Sequence, residues 1–235
     1  MKYVYIAIVF VVACGTKTDV EVDHGTAVDH GRALFSDSKA SPSVSNAFAC
    51  ATCHPSETIE ARIFPGGALG GATKRATFWG GQRDDLLEAV NDCRTSFMDA
   101  PTPWTSDDPE AQAIYAYLAS LPGDGSPVAF TPLVREADLP PGDAERGKTT
   151  YGLACAACHG TVHDGVGRIA SFVPRLPDDV DAQHMGLALA DRRNVYLRKA
   201  REGAFRDASG SMPPFSREAL PDGALADVLV FLGQY

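Results

Sequence analysis

The sequence predicts an all-α protein of two tandem domains joined by a linker rich in Pro and Gly. Three observations carry that expectation. No run alternates apolar and polar residues as a strand would, whereas two segments repeat apolar residues at intervals of three and four. One succession of features occurs twice: a Gly-x-x-x-aromatic helix, a Cys-x-x-Cys-His motif and a closing amphipathic helix. Between the copies lie Leu121-Pro122-Gly123-Asp124-Gly125-Ser126-Pro127 and Pro140-Pro141-Gly142, through which helix cannot persist.

Composition bounds the function. At 235 residues, 45% hydrophobic and 22% charged, the chain matches an ordinary globular protein and not a polytopic membrane protein or a disordered chain. The formal charge of −9 argues against nucleic acid, whose phosphates demand clustered Lys and Arg. It fits a partner that presents a basic face.

Residues 1–13 read as an export signal. Lys2 precedes the apolar run from Tyr3 to Ala13, which is about half the length that spans a bilayer. Val11-Val12-Ala13-Cys14 resembles the lipobox of bacterial lipoproteins, which implies a lipidated Cys14 at the mature N-terminus and a location on the periplasmic side of a bacterial membrane. The alternative is an ordinary secretory signal that contains a Cys. Residues 14–29 lack apolar periodicity and read as a tether; His24 and His30 could bind a metal, with solvated side chains the default reading.

The first domain is expected over 30–122. It opens on Gly31-Arg32-Ala33-Leu34-Phe35, reaches Cys50-Ala51-Thr52-Cys53-His54, and closes on the helix that starts at Asp108-Pro109. After a linker over 123–142, the second domain covers 143–235. It repeats the order with Gly147 to Tyr151, Cys155-Ala156-Ala157-Cys158-His159 and a closing helix from Asp222.

In each motif two thiols three positions apart project the same way from a helical turn, and the imidazole follows them. Both sulfurs can then attack the vinyl groups of one haem while the His reaches its iron, the attachment signature of c-type haem. Cys-x-x-Cys pairs also build zinc sites and redox disulfides. The His at one offset in both copies, the preceding helix and the export signal favour two covalently bound haem c groups, held by Cys50, Cys53, His54 and by Cys155, Cys158, His159.

The second half resembles a class I cytochrome c domain along nearly its whole length, through the opening helix, the attachment site, Tyr196 to Gly203 and Ser211-Met212-Pro213-Pro214-Phe215. That resemblance implies Met212 as the second axial ligand of the iron. A thioether on a Pro-stiffened loop suits the role. A backbone carbonyl of Pro174 or Pro177 is expected to orient His159.

The first half lacks Met-Pro-Pro. Its segment from Gly80-Gly81-Gln82 through Ala89-Val90-Asn91-Asp92-Cys93-Arg94-Thr95-Ser96-Phe97-Met98 to Trp104 is similar to the haem domains of thiosulfate dehydrogenases and of the haem subunit of the sulfur-oxidising cytochrome complex. The similarity implies Cys93 as an iron ligand. On a helix over 84–97, Leu86, Ala89, Val90 and Cys93 share one stripe, with Met98 the rival ligand and a plain buried Cys the remaining alternative. A weaker similarity of Arg32 to Asp37 to diheme peroxidases meets a chain too short for one.

The expected function is therefore a diheme electron carrier between an exported redox donor and acceptor. The alternative is a haem enzyme of sulfur-compound oxidation with a Cys-ligated first haem; a haem-bearing subunit of a larger oxidoreductase is a third class. No cluster of catalytic acids, bases or nucleophiles stands out. His163 and His184 read as surface or helix residues, and Arg75 and Arg94 could bind an oxyanion, with solvated cations the default reading.

Overall fold

The computed structural model describes residues 26–55, 61–131, 139–206 and 210–235, without the side chains of 205 and 206. Cys14 and His24 lie outside the described residues. Within them the chain is helical; the one β feature is an isolated bridge between Phe78 and Arg83.

The helices are α1 (Ala27–Ser36), α2 (Cys50–Cys53), α3 (Leu86–Ser96), α4 (Pro109–Ser120), α5 (Ala144–Ala154), α6 (Ala156–His159), α7 (Asp178–Gln183), α8 (Leu189–Arg206) and α9 (Asp222–Phe231). Helix α1 starts at Ala27, inside the stretch expected to be a tether. The reason is local: Thr26 accepts from the Asp29 N–H while the Asp29 carboxylate accepts from the Thr26 N–H and hydroxyl, a capping box.

Two helix crossings organise the molecule, α1 on α4 and α5 on α9. They use the same device. A Cβ at Gly31 would strike the Ala113 carbonyl and come within 2.7 Å of Tyr117 Cβ; a Cβ at Gly147 would strike the Asp227 carbonyl and come within 2.8 Å of Phe231 Cβ. Only glycine lets the backbones approach so closely. Four residues on, an aromatic ring meets one from the closing helix, Phe35 with Tyr117 at 5.2 Å and Tyr151 with Phe231 at 5.7 Å, both tilted by 56°. The second crossing adds a bidentate ion pair: Arg146 Nε and Nη2 donate to Asp227 at 2.8 Å, and the Asp143 N–H donates to Asp227 Oδ1 at 2.7 Å.

The cores differ. Around α5 and α9 a broad cluster gathers Tyr196, Leu197, Phe215, Leu220, Leu225 and Leu229 among others. Around α1 and α4 the buried cluster is Phe35, Ile114, Tyr117 and Leu118. A third, of Ala40, Phe48 and Met98, takes in Cys158 and Ile169, so the halves share apolar contact next to both Cys motifs.

The linker carries no helix in its described residues and lies over the first half. Lys74 Nζ donates to the Gly123 carbonyl at 3.1 Å, Gly71 abuts Gly125, and Trp79 meets Phe130 edge-on at 5.2 Å. Beyond Phe130 it is clasped to the second half, where Thr131 donates to Glu218 through its N–H (2.9 Å) and hydroxyl (2.7 Å). None of the described helices is long and apolar enough to cross a membrane.

Candidate cofactor sites

Helix α2 consists of the first Cys pair and the two residues between them, and His54 caps its C-terminus. An extended backbone at His54 turns the ring away from the helix, where Nδ1 lies 2.8 Å from the Gly67 carbonyl. A carbonyl only accepts, so Nδ1 carries the proton and Nε2 keeps its lone pair for a metal. Gly66 makes room for this orientation, since a Cβ there would strike the ring. Burial lowers the His54 pKa and keeps the imidazole neutral.

Beside this motif opens a cavity of about 170 Å³ lined by Cys50, Cys53 and His54 together with Phe35, Leu86 and Ile114. Asp85 caps α3 by accepting from the Glu88 N–H, and the helix turns Leu86, Ala89, Val90 and Cys93 into the cavity. The anticipated stripe is thus present. Met98, two residues past the helix, lines the same cavity and is 4% exposed. Cys93 and Met98 both reach the space beside His54, and the arrangement leaves both open as ligands.

The second motif sits on α5 and α6. His159 is 7% exposed, and its Nδ1 lies 2.9 Å from the Pro174 carbonyl, which again assigns the proton to Nδ1. Of the two carbonyls anticipated, Pro174 holds the ring; the Pro177 carbonyl accepts from Tyr196 Oη instead, at 3.1 Å. Tyr151 Oη donates to the Gly160 carbonyl at 2.9 Å and ties α5 to the loop beyond the motif.

These residues fit a covalently attached haem. None of the four motif cysteines forms a disulfide, and burial pushes Cys50 up to about 11 and Cys53 and Cys155 up to about 12, with Cys158 raised as well. A dithiol oxidoreductase needs the opposite, a thiol depressed toward neutrality. Among the described residues no three His, Cys, Asp or Glu side chains converge as a closed zinc site requires. Neutral imidazoles with a free Nε2, sulfurs on the same side of a turn and apolar walls suit a porphyrin instead.

The comparisons with known proteins bear on the second half first. Residues 142–232 match the family model described as cytochrome c oxidase, cbb3-type, subunit III. Those residues form a cytochrome c-type domain, a fold built around covalently bound haem c. Among solved structures, thiosulfate dehydrogenase (TsdBA) from Marichromatium purpuratum matches at 19% identity with a TM-score of 0.44, over 89% of this chain and 46% of that one. The chain therefore spans about half the length of that protein. No curated protein matches.

In the cytochrome c-type domain, Met212 packs on the same core as Cys155 and Ala156. Its loop is clamped to α8. Gly203, at φ 56°, kinks α8, the Ala204 N–H donates to the Met212 carbonyl at 2.8 Å, and the Phe215 N–H donates to the Ala200 carbonyl at 2.7 Å. Arg201, 1% exposed, ties down the chain from Phe215 to Asp222. Its Nη1 donates to the carbonyls of Phe215 (3.0 Å), Ser216 (3.1 Å) and Leu220 (2.6 Å), and its Nη2 to Asp222 (2.8 Å). Sequence reading missed Arg201, although a charge four residues after the buried Leu197 was a signal. It also missed Gly67, which leaves no mark in a sequence because only its carbonyl acts.

Two expectations need correction. Arg94 is not solvated; it is 3% exposed and stacked 3.6 Å over the Trp104 ring. Arg75 is half-buried and donates through Nη2 to the carbonyls of Ala68 and Gly70. Pro213 and Pro214 of the second half line the cavity of the first. His163 is exposed, as expected, and lies 2.8 Å from Asp178, while His184 caps α7.

Proposed function

We propose that the chain is a diheme c-type cytochrome that carries electrons between exported redox proteins. One haem c would be attached at Cys50 and Cys53 with His54 on its iron, the other at Cys155 and Cys158 with His159 and Met212. The observation that carries this reading is the repetition of one arrangement, a half-buried Cys pair followed by a His whose Nδ1 donates to a backbone carbonyl. Bound haem iron supplies one-electron chemistry. The chain's own residues orient that iron and keep water from it: Gly67 and Pro174 hold the two imidazoles, and the linker's Val128 and Phe130 cover the first cavity. The lipobox resemblance at Cys14 favours a chain tethered on the periplasmic side of a bacterial membrane.

The test is extraction with acid and organic solvent, followed by a haemochrome count. Pigment that stays with the protein at two haems per chain supports the reading, because thioethers are covalent. Pigment that extracts freely, or a count of one, defeats it.

A second reading, a haem enzyme of sulfur-compound oxidation, is favoured by one specific placement. Cys93 lines the first cavity close to Cys50 and Cys53, and burial pushes its thiol well up, so it holds its proton unless a metal displaces it. A thiolate on the iron would hold the first haem at lower potential than a Met ligand. Cys93→Ala compared with Met98→Ala decides: if only the Met98 change alters the first haem's spectrum and potential, Cys93 is packing and this reading loses its support.

A further inference from the structure

Where α7 passes into α8, the surface carries an apolar run. Met185-Gly186-Leu187-Ala188-Leu189-Ala190 are all exposed, and none bears a charge. Met185 is 75% exposed, Leu187 41% and Leu189 40%. Single apolar residues on a surface need no explanation, whereas a contiguous exposed run calls for something that covers it.

The loop is firmly based. The Leu187 N–H donates to the His184 carbonyl and the Arg192 N–H to the Ala188 carbonyl, each at 3.0 Å. Beneath it, Tyr196 Oη lies 2.8 Å from Asp181 Oδ1, and Gln234 Nε2 donates to the Asp181 carboxylate at 3.1 Å. Apolar side chains held out from a fixed base lose little freedom when they are covered.

The surroundings decide what can cover it. The α7 carboxylates already have partners: Asp178 lies 2.8 Å from His163 Nδ1, Asp179 pairs with Arg175 at 2.6 Å, and Asp181 takes Gln234. Past the loop stand one exposed carboxylate, Asp191, and the cations Arg192 and Arg193. Arg193 sits 4.8 Å over the ring of Tyr235, which is itself exposed. A redox partner with a basic face would find little here to pair with. A second copy would find too little area, because so short a run falls far short of the ~1,200 Å² that a stable interface buries. Aliphatic side chains bordered by Arg and Tyr match the chemistry of a lipid surface.

We propose that the loop over 185–190 seats the second half on the lipid surface to which the chain is tethered. The proposal rests on the reading that Cys14 is lipidated. From Cys14 to Thr26, where the described chain begins, the tether spans at most about 40 Å. That confinement raises the effective concentration of lipid, so a contact that is weak for a free protein suffices as a second one. With a net charge of −9 the chain as a whole is repelled by an anionic surface, and the contact therefore draws on apolar area rather than on charge.

The experiment uses the holoprotein with residues 1–14 replaced by a cleavable secretory signal, so that no acyl chain is added. Vesicles of phosphatidylethanolamine and phosphatidylglycerol, at millimolar lipid, are the probe. The protein should sediment with the vesicles, stay bound as salt is raised, and show slowed amide hydrogen exchange over 185–190. Leu187→Asp and Leu189→Asp should each weaken binding about tenfold or more and abolish the slowing, with haem content and circular dichroism unchanged. Met185→Ser serves as a further variant should either fail to accumulate. Absence of binding, or binding that these variants leave intact, overturns the proposal. So does binding lost on raising salt, which would assign the contact to charge. Slowed exchange without vesicles, on raising the protein's own concentration, would assign the loop to a second copy and overturn it as well. The mass of the native N-terminal peptide reports the tether separately: an unacylated Cys14 defeats the lipidation reading, whereas loss of vesicle binding defeats the loop.

Discussion

The two halves cross their first and last helices in the same way and then solve the core problem differently. Gly31 and Gly147 let the backbones touch, and Phe35–Tyr117 and Tyr151–Phe231 stack beside them. Past that point the second half closes on itself. It has the larger apolar cluster, the Arg146–Asp227 pair and the Arg201 clamp over the Met212 loop. The first half instead leaves an apolar cavity, walls it with linker residues and with Pro213 and Pro214, and sets into it two arginines, Arg75 and Arg94. The duplicated part is thus the scaffold that presents a Cys pair. What differs is everything that would decide which second side chain could hold a haem iron, and the charge around it.

The largest effect expected from this comparison is unequal dependence on the cofactor. If each Cys pair holds a haem, as proposed, replacing Cys50 and Cys53 by Ala, or Cys155 and Cys158 by Ala, removes one haem in either case. The first pair of changes costs more structure, because a covalent porphyrin supplies core that the smaller cluster lacks. Far-ultraviolet circular dichroism and thermal melting of the two double variants measure the difference. Equal losses would mean that the cavity contributes no more to its half than the second site does.

Next come the crossings. Gly31→Ala and Gly147→Ala each push a methyl group into a backbone carbonyl that cannot swing aside, for a loss of about 1–3 kcal/mol by overpacking. Because the crossings match, the two costs should agree in denaturant titrations. A Gly147→Ala variant that is nearly neutral would show that the α5–α9 contact is looser than its geometry.

A smaller effect tests how far the halves are separate. Met212→Lys removes the thioether proposed for the second iron and lowers that haem's potential. Because Pro213 and Pro214 line the first cavity, the first haem's potential should move too, by less. A redox titration in which the first haem keeps its potential would restore the picture of two independent sites.

Much of this was legible in the sequence because it is periodic or local. The repeated Cys-x-x-Cys-His, the Gly-x-x-x-aromatic helices and the stripe of Leu86, Ala89, Val90 and Cys93 derive from spacing alone. The capping box of Thr26 and Asp29 was present as well, but the polar stretch around it masked the helix start at Ala27. What stayed hidden depends on distant backbone. The Gly67 carbonyl acts without a side chain, and the burial of Arg94 depends on Trp104 being fixed by Asn91. That the Met212 loop walls the other half's cavity requires both halves in place.

The smallest effect concerns the clasp between linker and second half. Burial raises the Glu218 pKa, but the hydrogen bonds it accepts from Thr131, Ser216 and its own backbone outweigh that and hold it at about 2, against an ordinary 4.5. A carboxyl depressed on folding contributes stability that is complete above about pH 4.5 and is lost as the pH falls toward 2. Glu218 is exposed, so solvent screening limits its share to about 0.5 kcal/mol or less. Glu218→Gln keeps the shape and removes the charge. At pH 7 the variant should melt slightly below the unsubstituted protein, with faster proteolysis of the linker over 123–131, and the two should converge as acid protonates the native carboxyl. The clasp joins the strap over the first cavity to the second half, so its opening should leave both haem spectra in place while loosening the cover. A difference that persists unchanged at pH 2 would mean that the carboxylate's charge does not hold the strap.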